Sequence, residues 1–453
     1  MTTLTNLTRA PEIGANSYLL QSGSASVLLD AGMHPRVEGW AATPLLDALP
    51  KDLEAVILSH AHHDHAGSLP LVTRARPGAK VWMTSATAAL TEPLLHNSVN
   101  VMTRQKKETL QQDYPLYTHR GVDDCVVAWE TLPLQKPFRV DGSEFEFVLH
   151  DAGHVLGSAL TEIRCGRQRA LYTGDINLAR QTLMIPCQPP PGPWDTIIME
   201  TTRGAQPTPS GQTRDTMEND LLEAIRQTFS RGGAVLMPVF ALGKTQEMLT
   251  LLHHARRDGR LPPTTIYIGG LGRVLTEVYD RQRSLAPRQH GGLKIIPEVR
   301  PETFDPRRLA TLRPKSGQIY LVSSGMMTPH TTSHTLARLF FPRENDSIFF
   351  VGFTEPSSPA GLLRAAGRGG SVDWGDPHGP LPVRCEIRYF DLTAHAIRED
   401  LANWIAEQAR PKKLFLVHGD PDAQEWFRQT LSLRCPEMEI LQPPPGKPVP
   451  LFP

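Results

Sequence analysis

The chain has 453 residues, 21% of them charged and 40% hydrophobic, and its 47 basic side chains balance 47 acidic ones. That length provides one to three domains with a sizeable core, in the composition of an ordinary soluble globular protein. The zero net charge excludes a global polyanion-binding field and leaves a local basic face open.

From the N-terminus, residues 1–8 lack a charged segment and a long apolar core, so they do not read as a secretory signal. Short strands are predicted at 26–30, 55–59, 144–149 and 170–173, each ending beside Asp, His or Gly, where a rigid sheet presents functional loops. The proline cluster from Pro186 to Pro193 reads as an extended loop. From about residue 205, apolar strands alternate with helical segments. Strands at 234–240, 266–268, 319–322 and 348–353 are interleaved with helices at 244–255 and 273–283. Such βα alternation argues for a mostly parallel sheet covered by helices, and for a second domain. Strands at 386–390 and 413–417 then lead to His395 and His418. Residues 443–446, Pro-Pro-Pro-Gly, open a tail expected to run over the surface. No apolar stretch approaches the roughly 20 residues that cross a bilayer. The scattered Cys125, Cys165, Cys187, Cys385 and Cys435 read as reduced structural thiols of a cytoplasmic protein.

Metal chemistry is the strongest signal. His60-Ala61-His62-His63-Asp64-His65 follows directly on a predicted strand. Catalytic zinc is held by His nitrogens and carboxylate oxygens, with one position left for water. His60 and His62 sit on a turn, spaced to face one ion together. Asp64 and His65 are adjacent, cannot point the same way, and suit a second ion. His63 lies off this pattern and reads as a non-ligand. His154 follows a later strand among glycines that permit close approach. Asp175, in Thr173-Gly174-Asp175, offers a carboxylate able to bridge two cations. A turn or solvated loop would explain any one of these residues alone, but not the series.

Asp30 in Leu29-Asp30-Ala31-Gly32, the His60 run, His154 and Asp175 resemble, in order, the motifs of the metallo-β-lactamase superfamily. Later segments resemble its β-CASP nuclease branch. These are Glu200-Thr201-Thr202-Arg203-Gly204, Pro238-Val239-Phe240-Ala241-Leu242-Gly243, Ser323-Ser324-Gly325-Met326-Met327, Thr393-Ala394-His395 and Val417-His418-Gly419-Asp420-Pro421. The resemblance covers nearly the whole chain and takes in RNA 3′-end-processing endonucleases, ribonuclease J and short bacterial relatives. It implies an α/β fold, a four-layer αββα sandwich with an inserted parallel-sheet β-CASP domain. The first part of the sandwich would span 1–204, the insertion 205–384 and the C-terminal return 385–453. It further implies two zinc ions per chain: one held by His60, His62 and His154, the other by Asp64, His65 and His418, with Asp175 bridging. Asp30 would orient the loop from behind, and Glu200 and His395 would form a carboxylate–imidazole pair at the scissile phosphate. Catalysis is thus expected to rest on Asp64, Asp175, Glu200 and His395. Departures are Arg203 in place of the usual Tyr, Ile397 in place of Asp, and Gly269-Gly270 where many relatives carry an Asp-Ser-Pro run.

The activity so implied is phosphodiester hydrolysis by a metal-activated hydroxide, with His395 as proton donor. RNA is favoured because enzymes of this branch that act on RNA carry His in the closing motif, as His418 here, whereas DNA-directed relatives carry Val. Single-stranded DNA stays open as a substrate, and a homodimer stays open as an assembly. Thirteen Arg and Lys against six Asp and Glu between Leu252 and Lys315 would put positive charge on the insertion; a merely solubilising surface explains that equally well. A thioester or lactone hydrolase on the same fold is a competing reading, since fold does not fix function. A non-catalytic scaffold subunit is another, though it would be expected to lose ligands that this chain keeps.

Overall fold

Period-two alternation in the first 200 residues sorts side chains onto two faces of a sheet. Val27, Leu29 and Ile57 enter one buried cluster, whereas Leu28 and Val56, between them in sequence, enter another. The computed structural model describes residues 1–453 apart from 110–111, 141–142, 306–308 and 310. Its first sheet runs Pro448–Pro450, Thr3–Asn6, Tyr18–Ser22, Ala25–Leu29, Ala55–Ile57, Lys80–Met83 and Trp129–Thr131. Its second runs Glu439–Leu441, Lys413–Val417, Thr196–Glu200, Gln168–Tyr172, Ala159–Cys165, Phe145–Asp151 and Pro137–Arg139. The sheets stack face to face through Leu20, Val27, Leu29 and Ile57 on one side and Phe145, Phe147, Ile163 and Phe415 on the other. Helices Leu69–Ala75, Ser85–Thr109 and His119–Val126 cover the first sheet. Arg398–Asn403 and Pro421–Arg434 cover the second through Leu401, Phe427 and Leu431. This is the expected αββα sandwich.

A third sheet takes Glu302–Thr303, Thr265–Ile268, Gln318–Val322, Val235–Pro238, Ser347–Phe350 and Glu386–Tyr389, all parallel. Its central strands are apolar on both faces because helices cover both. Arg214–Ser230, Lys244–Arg257 and Gly270–Arg281 bury one side, and Thr332–Phe340 and Pro359–Ala366 the other. The sheet includes Glu386–Tyr389, so the chain leaves it beyond residue 384, where the sequence ended the insertion.

The C-terminal segment does not run free over the surface, as its prolines suggested. Pro448–Pro450 pairs with Thr3–Thr5 at the sheet edge, where a strand tolerates missing N–H donors. Thr196 Oγ1 donates to the Leu451 carbonyl at 2.7 Å, and Leu451 is fully buried. All five cysteines are free, and four are buried.

Candidate metal centre

Asp30, His60, His154, Asp175, Glu200 and His418 all lie at or just beyond the C-terminal ends of strands that run in one direction within their sheets. Their loops therefore meet at one rim of the sandwich. Asp30 and His418 both adopt left-handed backbone, φ +59° and +48°, a region that side chains other than Gly occupy sparingly. Such strain persists where surrounding bonds over-determine it. Asp30 accepts from Ser59 N at 2.7 Å, Ser59 Oγ at 2.8 Å, Tyr172 Oη at 2.6 Å and His65 Nδ1 at 2.7 Å. The His418 carbonyl accepts from Thr201 N.

The sequence-predicted ligands converge as two groups around Asp175. Asp175 Oδ2 lies 3.4 Å from His60 Nε2 and 3.5 Å from His154 Nε2. His62 Nδ1 stands 3.0 and 3.1 Å from those two nitrogens. Asp175 Oδ1 lies 3.3 Å from His65 Nε2 and 3.1 Å from His418 Nε2. Asp64 Oδ2 is 4.0 and 3.7 Å from the same two rings. His60, His62, His154 and Asp175 thus form one donor cluster and Asp64, His65 and His418 another. His63, exposed, belongs to neither.

Three observations fit this donor set to divalent cations. Nitrogen ligands at 2.0–2.1 Å on a tetrahedron lie about 3.3 Å apart, which is the spacing found here. Asp175 Oδ1 is buried and has two Nε2 atoms nearby, yet it makes no hydrogen bond. Its neighbours do not aim at it, as expected of atoms that share an ion. The third is charge. Burial pushes His60 and His154 well below the ordinary imidazole range, and lowers His62 too, which favours the neutral form that can ligate. Burial opposes charge on His65 as well, but Asp175, Asp30 and Asp64 outweigh it and raise its pKa well above the ordinary value. Burial likewise opposes an ionised Asp175, and the surrounding imidazoles, His65 first, overcome it and lower its pKa. Carboxylates that enforce a proton on a buried ring would equally stabilise a cation in its place.

A third group adjoins these. His395 Nδ1 stands 3.2 and 3.1 Å from the two oxygens of Glu200, and its Nε2 lies 4.0 Å from Asp175 Oδ2. Glu200 ends a buried strand and accepts from Ile176 N at 2.6 Å. Burial disfavours the imidazolium of His395, but Glu200 and Asp175 prevail and raise its pKa. The sequence did not reveal Asn16, whose Nδ2 lies 3.0 Å from His418 Nδ1 and 3.2 Å from His65 Nε2, anchored by Tyr18 Oη. No spacing signal marks a lone Asn two residues before a strand. Tyr172 could have been found, since alternation turns it inward toward Asp30. Of the expected basic stretch, Arg307 and Arg308 lie outside the described residues. No helix among the described residues is long and apolar enough to cross a membrane.

Comparison with known proteins agrees with this geometry. Residues 10–226 match the metallo-β-lactamase superfamily model, 245–363 the β-CASP domain model, and 380–437 the model described as a Zn-dependent metallo-hydrolase RNA specificity domain. The chain is 28% identical over 432 residues to endoribonuclease YSH1 of Candida glabrata, covering 93% of this chain and 55% of that one. It is 30% identical over 448 residues to endoribonuclease ysh1 of Aspergillus fumigatus, covering 90% and 50%. It is 28% identical over 431 residues to transcription termination factor FttA of Methanocaldococcus jannaschii, covering 91% and 66%. The chain thus spans about half to two thirds of the length of these relatives. A crystal structure of a protein of unknown function from Enterococcus faecalis V583 shares the fold, with a TM-score of 0.58, 15% identity and 99% coverage of both chains. With three family models in the expected order and both motif-bearing ends on one rim, the chain belongs to the β-CASP branch of the metallo-β-lactamase superfamily.

Proposed function

We propose that this chain is a metal-dependent nuclease that hydrolyses phosphodiester bonds in RNA, and that its centre takes two zinc ions. The observation that carries the reading is the Glu200–His395 pair beside an Asp175 whose two oxygens face separate ligand groups. His60, His62 and His154 would hold one ion and Asp64, His65 and His418 the other, with Asp175 shared. Such an ion pair, when bound, lowers the pKa of a water toward about 7 and offsets charge on a transferring phosphoryl group. The chain's own groups supply proton transfer and orientation. Glu200 holds Nδ1 of His395 and leaves Nε2 turned to the centre, from where it hands a proton to the leaving oxygen. Ile176 N fixes Glu200, and Asp30 fixes His65. The β-CASP insertion, taken from about residue 205 to Tyr389, would close over the substrate.

Support for RNA over single-stranded DNA comes from His418, from the RNA-specificity model over 380–437, and from relatives named endoribonucleases. The test uses purified chain with its metal content measured, incubated with end-labelled RNA bearing 5′-phosphate or 5′-hydroxyl. Single-stranded DNA, a thioester and a lactone run in parallel. Time-dependent RNA cleavage by protein holding two zinc ions is expected. Turnover of only the thioester or lactone would replace this reading with a small-molecule hydrolase. A chain that binds no metal would point to a scaffold.

A further inference from the structure

We propose that Arg203, Asp391 and Lys244 are positioning residues: a buried Arg203–Asp391 ion pair and Lys244 of the insertion fix the 391–395 loop so that His395 stands against Glu200. The inference rests on the nuclease reading, in which His395 donates the proton.

The loop from Asp391 to His395 has no regular secondary structure, although it joins the third sheet to the sandwich. Its polar groups need partners once buried. The Asp391 carboxylate and the carbonyls of residues 392, 393 and 394 are each met by a side chain from elsewhere in the fold. Arg203, 4% exposed, donates to both oxygens of Asp391, at 2.9 and 2.5 Å. Lys244 Nζ donates to the Leu392 carbonyl. Arg214 donates to the Thr393 carbonyl at 3.2 Å, and His154 Nδ1 to the Ala394 carbonyl at 2.8 Å. Thr393 Oγ1 then accepts from His395 N at 3.1 Å. Four consecutive residues are thereby gripped by side chains from four places in the chain, and the fifth is the proton donor.

Two of those grips come from the insertion. Lys244 opens the helix Lys244–Arg257, whose Glu247 accepts from Thr182 N and Leu183 N at 2.6 and 2.9 Å. Arg214, in the helix Arg214–Ser230, bonds Glu218 and Glu247 while it holds the loop. The insertion therefore grips the loop that carries His395. A buried guanidinium–carboxylate pair adds little net stability, because desolvation offsets its attraction. What it does provide is geometry, and Arg203 is the residue that departs from the family's Tyr, paired here to Asp391.

Asp391→Asn and Lys244→Met, each alone and combined with His395→Ala, are compared with the unmodified zinc-loaded chain. Hydrogen–deuterium exchange should quicken in the peptide spanning 391–396 and stay unchanged elsewhere in the sandwich. RNA cleavage should lose about 10- to 100-fold in kcat, as expected for a misplaced catalytic group. KM should stay within about twofold, the mark of an interaction felt at the chemical step, and zinc content should not move. In the His395→Ala background the same substitutions should alter kcat by less than about twofold, since they act through a ring already removed. Losses that multiply in that background, unchanged exchange in the loop, or zinc falling in parallel would each overturn the proposal. If Asp391→Asn does not fold, Lys244→Met decides; if neither folds, the bracket is a structural support and the proposal fails. An unmodified chain that cuts no RNA would overturn the nuclease reading alone, because the exchange comparison needs no turnover.

Discussion

Burial and carboxylates divide the imidazoles of the centre into two kinds. Desolvation favours the neutral form of His60 and His154, whereas at His65, just as buried, Asp175, Asp30 and Asp64 favour positive charge, whether a proton's or a bound cation's. Asp175 sits on the boundary, with one oxygen toward each group. Asp175→Ala should therefore release metal from both groups while the helix-covered sandwich persists. Since residues behind the ligands already cost 10–100-fold when changed, the loss of RNA cleavage should exceed about 100-fold. Elemental analysis and cleavage in metal-buffered medium check this, and two retained zincs with full turnover would remove Asp175 from the bridging role. His418→Ala should act on one side. It takes Nε2 from the group of His65 and Asp64 and leaves His60, His62 and His154 intact. One zinc should be lost selectively, with cleavage down at least about 100-fold by the same comparison. If His418 were only a packed histidine, the melting temperature would fall while two zincs stayed bound.

Elements were legible where a run of apolar residues was closed by a chemically marked one. The strands read at 55–59 before His60, 170–173 before Asp175 and 413–417 before His418 are found at Ala55–Ile57, Gln168–Tyr172 and Lys413–Val417. The candidate ligand series was legible because four ligand-type residues fall within six positions and His154 and Asp175 follow later strands in order, whereas any one alone would read as a turn residue. Ser85–Thr109 escaped notice: it is mixed in polarity, lacks a clear apolar stripe and holds Pro93. Arg203 could be read only as a departure, since its partner Asp391 lies 188 positions away and no local pattern links them. The proline-rich tail misled because proline signals irregular structure, while an edge strand accepts it. That correction has a measurable consequence. Leu451, fully buried against the inner faces of both sheets, should behave as a core residue. Leu451→Ala should lower the unfolding free energy by about 2–4 kcal/mol and leave zinc content unchanged. Urea denaturation of zinc-loaded protein measures it, and a loss under about 0.5 kcal/mol, the range of surface changes, would mean that the tail only lies on the surface.

At the scale of the whole molecule, the junction of sandwich and insertion carries a charge problem. Lys244 is buried where the insertion meets the His395 loop. Burial first, then the neighbouring Arg214 and Arg203, lower its pKa from 10.5 to about 7, against the opposing pull of Glu247 and Asp391. Between those two values the unfolded chain holds a proton that the folded chain has released. Stability must then rise with pH across that interval. The penalty for burying the charge is complete below pH 7, where both states are protonated, and fades as pH approaches 10.5. Lys244→Met removes the titrating group and keeps much of its bulk. The unfolding free energy of the unmodified chain minus that of Lys244→Met should therefore increase by about 2 kcal/mol between pH 7 and pH 9. Taking the difference cancels the pH dependence of the metal centre, which both proteins share, provided both are measured at saturating zinc. A difference that stays flat across this range would show that the folded protein keeps Lys244 charged, with Glu247 and Asp391 holding the proton against desolvation.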